Sequence, residues 1–163
     1  MEAAVQLRAG ESELFFSDAR RLLAIDPRTE RLRVLTELTD EEDGVRVSDL
    51  RVRDDHVYWI DAKRVGSVPI GGGDIKVHAT VEGRSEWLVV TDDELYWMER
   101  ESGGAQDPTE ATVRGVSLED GSERTLLEGY LSSGAAVVHD GRLYLTTSRT
   151  DDYDGSLVSV AVD

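Results

Sequence analysis

The segment Leu14-Phe15-Phe16-Ser17-Asp18 comes back three times, as Val57-Tyr58-Trp59-Ile60-Asp61, Leu95-Tyr96-Trp97-Met98-Glu99 and Leu143-Tyr144-Leu145-Thr146-Thr147. Its central aromatic recurs at Phe15, Tyr58, Tyr96 and Tyr144, at spacings of 43, 38 and 48 residues, and three of the four copies carry an acid three residues later. A period of this length is the mark of a repeat architecture, in which each unit cannot bury its apolar surface alone and must stack on its neighbours. Any fold proposed for the chain has to accommodate that repetition.

The flanks of each copy repeat as well. A short β-prone stretch precedes it: Ala4–Leu7, Val47–Val52, Trp87–Val90 and Ala135–Val138 (strand A). Turn chemistry then leads into the aromatic strand B in Arg53-Asp54-Asp55-His56, Thr91-Asp92-Asp93-Glu94 and His139-Asp140-Gly141-Arg142, where Asp and Gly supply tight-turn geometry. Strand C follows as Arg21–Asp26, Val65–Ile70, Val113–Leu118 and Leu157–Val162. Polar outer strands at Leu32–Leu35, Ile75–His78 and Arg124–Leu127 complete three of the units as antiparallel meanders.

Alternation in strand B places Val57 and Trp59 on one face of the sheet and Tyr58 on the other. Both faces therefore carry large packing groups, whereas a surface meander needs only one apolar face. Sheets sandwiched between neighbours satisfy this demand, so the chain is expected to be all-β, a β-propeller of about four four-stranded meander blades. The expected domain is a single one over 1–163, with blades near 3–38, 45–83, 85–131 and 134–163.

The Tyr58-Trp59 and Tyr96-Trp97 segments resemble the YWTD repeats of low-density-lipoprotein-receptor-type propellers and their bacterial relatives. Val68-Pro69-Ile70-Gly71-Gly72 is similar to the Pro-x-x-Gly-Gly ending of those repeats. The resemblance implies a propeller that binds protein partners, with no catalytic residues to carry over. It is tightest in the second repeat; Phe16 replaces the Trp in the first, and Leu145 and Thr147 replace the Trp and the acid in the fourth. Such propellers usually have six blades, and here the last repeat lacks an outer strand. Three arrangements stay open: a compact four-bladed ring, two chains associating into one eight-bladed ring, or a fragment of a longer protein. An unpaired edge favours pairing with another chain.

A net charge of −16 argues against nucleic acid and anionic membrane surfaces, because cations are interleaved with Asp or Glu throughout. A solvated surface is the plain reading of this charge; an acidic face that docks a basic protein is the sharper one. Two Lys (Lys63 and Lys76) against sixteen Arg leave salt adaptation as a third. No cysteine is present, so disulfide and thiolate chemistry are excluded. The first residues lack a basic segment followed by an apolar run, and no stretch has membrane-spanning length, which leads to the expectation of a cytoplasmic protein.

Candidate chemistry is sparse. Asp152 and Asp154 in Thr150–Ser156 have carboxylate spacing suited to a hard cation, but Ala161 stands where an EF-hand needs its bidentate Glu. The acidic run Thr39–Gly44 fails likewise, with Leu50 at that place. Gly71-Gly72-Gly73 precedes no Gly-Lys-Ser/Thr and reads as a hairpin turn. His56, His78 and His139 have no second ligand at metal spacing, and no Gly-x-Ser-x-Gly elbow supports a Ser-His-Asp triad. Trp59 and Trp97 read as blade packing, with Trp87 less clear. The longest insertion, between the third B and C strands, is expected as a partner-contact loop at Ser102, Gln106, Asp107 and Pro108. The leading expectation is a non-enzymatic protein-interaction module without a cofactor. The alternative is a propeller hydrolase of the lactonase or phosphotriesterase type, with calcium in the central channel held by acids such as Asp18, Asp61 and Glu99.

Overall fold

The computed structural model describes residues 6–18, 20–38, 46–100, 111–129, 132–148 and 155–162. They contain strands and turns and no helix. The chain packs as two compact units, 1–80 and 81–163, each holding two antiparallel sheets.

In the first unit, β1 (Leu7–Ala9), β2 (Leu14–Ser17), β3 (Arg21–Asp26) and β4 (Arg31–Glu37) form one meander. The second meander is β5 (Asp49–Arg53), β6 (His56–Ile60), β7 (Arg64–Pro69) and β8 (Lys76–Thr80). The second unit holds β9 (Arg84–Val90), β10 (Glu94–Arg100), β11 (Ala111–Ser117) and β12 (Glu123–Glu128), then a sheet of β13 (Ser132–His139), β14 (Arg142–Ser148) and β15 (Gly155–Ala161). Strands follow sequence order in each sheet, as short turns require, and these are β-propeller blades. Among the described residues the fourth sheet has three strands and β15 forms its edge.

One strand departs from the sequence expectation. The innermost strand of the first sheet is Leu7–Ala9 rather than Ala4–Leu7, of which residues 4 and 5 lie outside the described set. The reason is the turn: Gly10 N donates to Glu13 O at 2.9 Å, which closes the A–B connection immediately before Leu14. Strand A must therefore run up to Ala9, pairing Leu7 with Phe16 and Ala9 with Leu14. The triple glycine is a turn as expected, with Gly72 in the left-handed region at φ 84° and Gly73 N donating to Leu35 O at 3.3 Å.

Packing follows one rule in both units. Phe15, Leu22 and Ala24 on one face of the first sheet share a core with Leu50, Val57 and Trp59 of the second. Tyr96, Met98 and Val113 of the third sheet likewise share a core with Leu143 and Leu145 of the fourth. Within each unit, the central aromatic of the earlier sheet thus faces the later one; in the first unit the residues flanking Tyr58, and in the second those flanking Tyr144, face back toward it. Trp59, Trp97 and Trp87 are all buried.

The sheets share a further regularity. The C–D pairing slips by one residue between Leu22 and Leu23, between Val65 and Gly66, and between Val113 and Arg114, which is the same repeat position each time. The extra outer-strand residue is Leu35, His78 and Leu126 respectively. A bulge resets the alternation of its strand, so this residue turns inward. Leu35 and Leu126 accordingly join the cores of their units.

Candidate functional site

Between the A–B turns of the first two sheets lies a cleft of about 560 Å³. Residues 9–13 form one wall and residues 52–55 the other. Its floor is apolar: Phe15 is buried beneath it, with Val52 and Ile70 half-buried at the sides. Glu11, Glu13, Asp54 and Asp55 surround the mouth against Arg53 as the lining cation. Asp54 is held in the left-handed region at φ 48°, which Asp tolerates better than most residues. Ile70 N donates to Asp55 O at 2.8 Å and ties the end of strand C to the turn. Two partners bond at the same rim position in the second unit, Leu118 N to Asp93 O at 2.7 Å and Val162 N to Gly141 O at 3.0 Å. Pro27 occupies it in the first sheet and has no N–H to give.

Glu13 takes both arms of Arg33 from the outer strand, Nε at 3.0 Å and Nη2 at 2.5 Å. That hydrogen bond holds its carboxyl below the usual range, although burial works the other way. In the third sheet Glu94 accepts one arm of Arg124, Nη2 at 2.6 Å, and also accepts from the Tyr96 hydroxyl. Burial and then this acid push the Tyr96 phenol well above its ordinary pKa. The equivalent cleft beside Glu94, between the third and fourth sheets, is smaller, at about 380 Å³. Glu11, Asp54 and Asp55 are exposed and form the open acidic rim of the larger cleft.

The repeated acids at the ends of the B strands do other work. Asp61 is buried; it accepts from Lys63 N at 2.8 Å, Arg64 N at 2.9 Å and the Arg64 guanidinium at 3.3 Å. Asp18 accepts from Arg20 N, Arg21 N and both arms of Arg21 at 2.6–2.9 Å. Partial burial raises its pKa, but these donors outweigh it and the net shift is downward. Glu99 pairs with Arg114 and accepts from Glu82 N at 3.4 Å. The Asp18 and Asp61 bonds cap the B–C turns of their own sheets, and Glu99 fastens β10 to β11 through Arg114. Each carboxylate already has a guanidinium, and no cluster of three or more metal-ligating side chains occurs among the described residues.

His78 lies in the outer strand, as expected, and the bulge there turns it inward. Its Nε2 lies 2.8 Å from Ser67 Oγ, and Tyr58 sits 6.0 Å from both the His78 and the His56 rings. Burial, then Lys76 and His56, pull the His78 pKa down to about 4. Ser67 is itself buried, and the charges that act on His78 lower its pKa rather than raise it. This is a polar replacement for the Ala24–Leu35 packing of the first sheet rather than a nucleophile with its base. His56 opens β6, and His139 is exposed beside Asp140 at 3.3 Å. The contact-loop residues Ser102, Gln106, Asp107 and Pro108, and the cation candidates Asp152 and Asp154, lie outside the described residues. The cleft itself went unseen in the sequence. Its signal is the acid pair before Phe15 facing the Asp54-Asp55 turn forty residues on.

No protein-family description matches the sequence, and no curated protein matches it either. Solved structures do match its fold. A chain of the nidogen/laminin complex has a TM-score of 0.63 at 10% identity, over 88% of this chain and 55% of that one. Oligogalacturonate lyase in complex with manganese has a TM-score of 0.64 at 15% identity, over 91% of this chain and 46% of that one. The N-terminal domain of Nup159 has 0.57 at 13% identity, over 95% and 44%. All are β-propeller proteins, and this chain spans about half the length of each.

Proposed function

We propose that this chain is a non-enzymatic protein-interaction module whose acidic cleft receives a basic segment of a partner. The observation that carries the reading is the cleft in the first unit, which sets the exposed carboxylates of Glu11, Asp54 and Asp55 around an apolar floor at the mouth of a two-sheet core. Such a site suits a Lys or Arg head with its aliphatic stem laid over Phe15, Val52 and Ile70. The finer likeness to YWTD repeats belongs to this reading. Its support is the repeated contact from a B-strand indole to the acid two residues on, Trp59 to Asp61 at 3.4 Å and Trp97 to Glu99 at 3.5 Å. The partner set includes a second copy of the chain as well as a basic protein.

The propellers it resembles include a protein complex and a manganese-bound lyase, so the fold serves both kinds of work. Commitment of Asp18, Asp61 and Glu99 to arginines favours the binding reading over the calcium hydrolase. The test is fluorescence anisotropy with a labelled Arg- and Lys-rich peptide containing one leucine. Saturable binding that weakens with salt and is lost in Asp54→Asn/Asp55→Asn is expected. Equal affinity in the double variant, or no binding at low salt, would overturn the reading.

A further inference from the structure

Faces that belong inside a propeller can be recognised by repeat position. In the second, third and fourth sheets the pairs that flank the central aromatic are Val57 and Trp59, Leu95 and Trp97, and Leu143 and Leu145. All are at most 1% exposed. The inner-strand residues opposite the two tryptophans, Leu50 and Leu88, are 0% exposed. In the first sheet the same positions are Leu14 and Phe16, both only half-buried, and Leu7, which is 53% exposed. Register continues this row through Phe16 and the buried Leu23 to Val34, 47% exposed, with Leu32 at 54% beside it. That face of the first sheet has the make-up of an interior face and lies open.

The fourth sheet is open on the opposite kind of face. Leu157 is 70% exposed, although Leu22, Val65 and Val113 at its position are 0, 0 and 2% exposed. Val137, directly across from Tyr144, is exposed on the same face.

We propose that these two faces pack on each other between two copies of the chain, the fourth sheet of one against the first sheet of the other, head to tail. Blade packing within a unit supplies the template. Leu22, the counterpart of Leu157, shares a core with Leu50 and Trp59, the counterparts of Leu7 and Phe16. The two open faces are therefore the two halves of one interface that the fold already makes twice. Each chain presents one of each half, so a pair of copies meeting head to tail satisfies both exposed faces through two identical contacts. The driving term is apolar burial; with a net charge of −16 on each copy, salt strengthens the contact by screening their repulsion.

The inference rests on reading the sheets as blades of an interaction module, and one experiment separates the two. Sedimentation velocity on the full chain at micromolar concentration is expected to give about twice the 18.0 kDa chain mass, unchanged or firmer at high salt. Leu7→Asp and Leu157→Asp each act at an exposed side chain. Each is expected to weaken self-association by about tenfold or more while circular dichroism stays that of the parent. Mixing the two variants restores a dimer fraction, because one of the two contacts then joins unaltered faces. A monomeric parent overturns the proposal. So does a Leu7→Asp variant that remains fully dimeric, since the fourth sheets would then pack on one another. A monomer that still binds the basic peptide leaves the cleft reading standing, and a dimer that ignores the peptide does the reverse.

Discussion

Gly66 lies directly across from Trp59, so close beneath the indole that a Cβ on it would stand 2.6 Å from the ring. The buried Trp59 is packed against the first sheet and has no room to retreat. Gly66→Ala is therefore expected to destabilise the protein by about 1–3 kcal/mol through overpacking. Gly83→Ala should cost more, because its Cβ would meet the Arg100 carbonyl oxygen at 2.0 Å and backbone cannot swing aside. Urea denaturation of the two variants beside the parent checks the order.

Asp61 is buried against Arg64 and also holds the turn through two backbone N–H groups. Asp61→Ala removes the buried carboxylate from the guanidinium and frees the turn, a loss on the order of 3–5 kcal/mol for a pair this deep. Asp18→Ala, in a more exposed pair, should lose about 1 kcal/mol or less. Equal losses in thermal melts would show that depth is not what separates these two caps.

Because the repeated acids are neutralised by arginines, added calcium should shift the melting temperature of the parent by less than about 1 °C. Differential scanning fluorimetry with millimolar calcium measures this directly. A saturable rise would return the metal-enzyme reading to first place.

The half-buried His78 ring has its pKa lowered from 6.5 to about 4, chiefly by burial. Between those values the unfolded chain binds the proton that the folded chain refuses, so stability is full above 6.5 and falls as pH drops toward 4. The ring is only half-buried, which reduces this contribution to about 1–2 kcal/mol. His78→Gln can still reach Ser67 and should flatten the pH dependence of urea unfolding between pH 6.5 and 4. An unaltered slope would place the acid sensitivity elsewhere.

The Tyr96 hydroxyl donates to Glu94, which Arg124 also grips, so its phenol resists ionisation. Glu94→Gln removes the neighbouring negative charge and should bring the Tyr96 titration down toward the ordinary range, leaving the effect of burial. Near-ultraviolet absorbance during alkaline titration reads the change against the parent.

Local chemistry accounts for what could be read before any coordinates. Period-two alternation through Val57-Tyr58-Trp59 and Asp-rich turns such as Asp54-Asp55 act within a few residues, so the strands and meander order were legible. Strand Arg21–Asp26 was located to the residue. The inward turn of His78 was not, because a bulge is set by pairing with Val65 and Gly66 rather than by its own neighbours. The reach of the first strand to Ala9 was missed for a similar reason, since it is set by the Gly10–Glu13 turn.

By itself, then, the sequence determined that this chain is a series of β-meander repeats with packing groups on both faces, since strand period and turn preference are carried by adjacent residues. Only the tertiary structure decided that Phe15 packs toward Trp59 and that Glu11 and Asp54 share a cleft. It alone showed Leu7 and Leu157 open where their counterparts are closed. Those outcomes depend on which sheet lies against which face, a relation between residues dozens of positions apart.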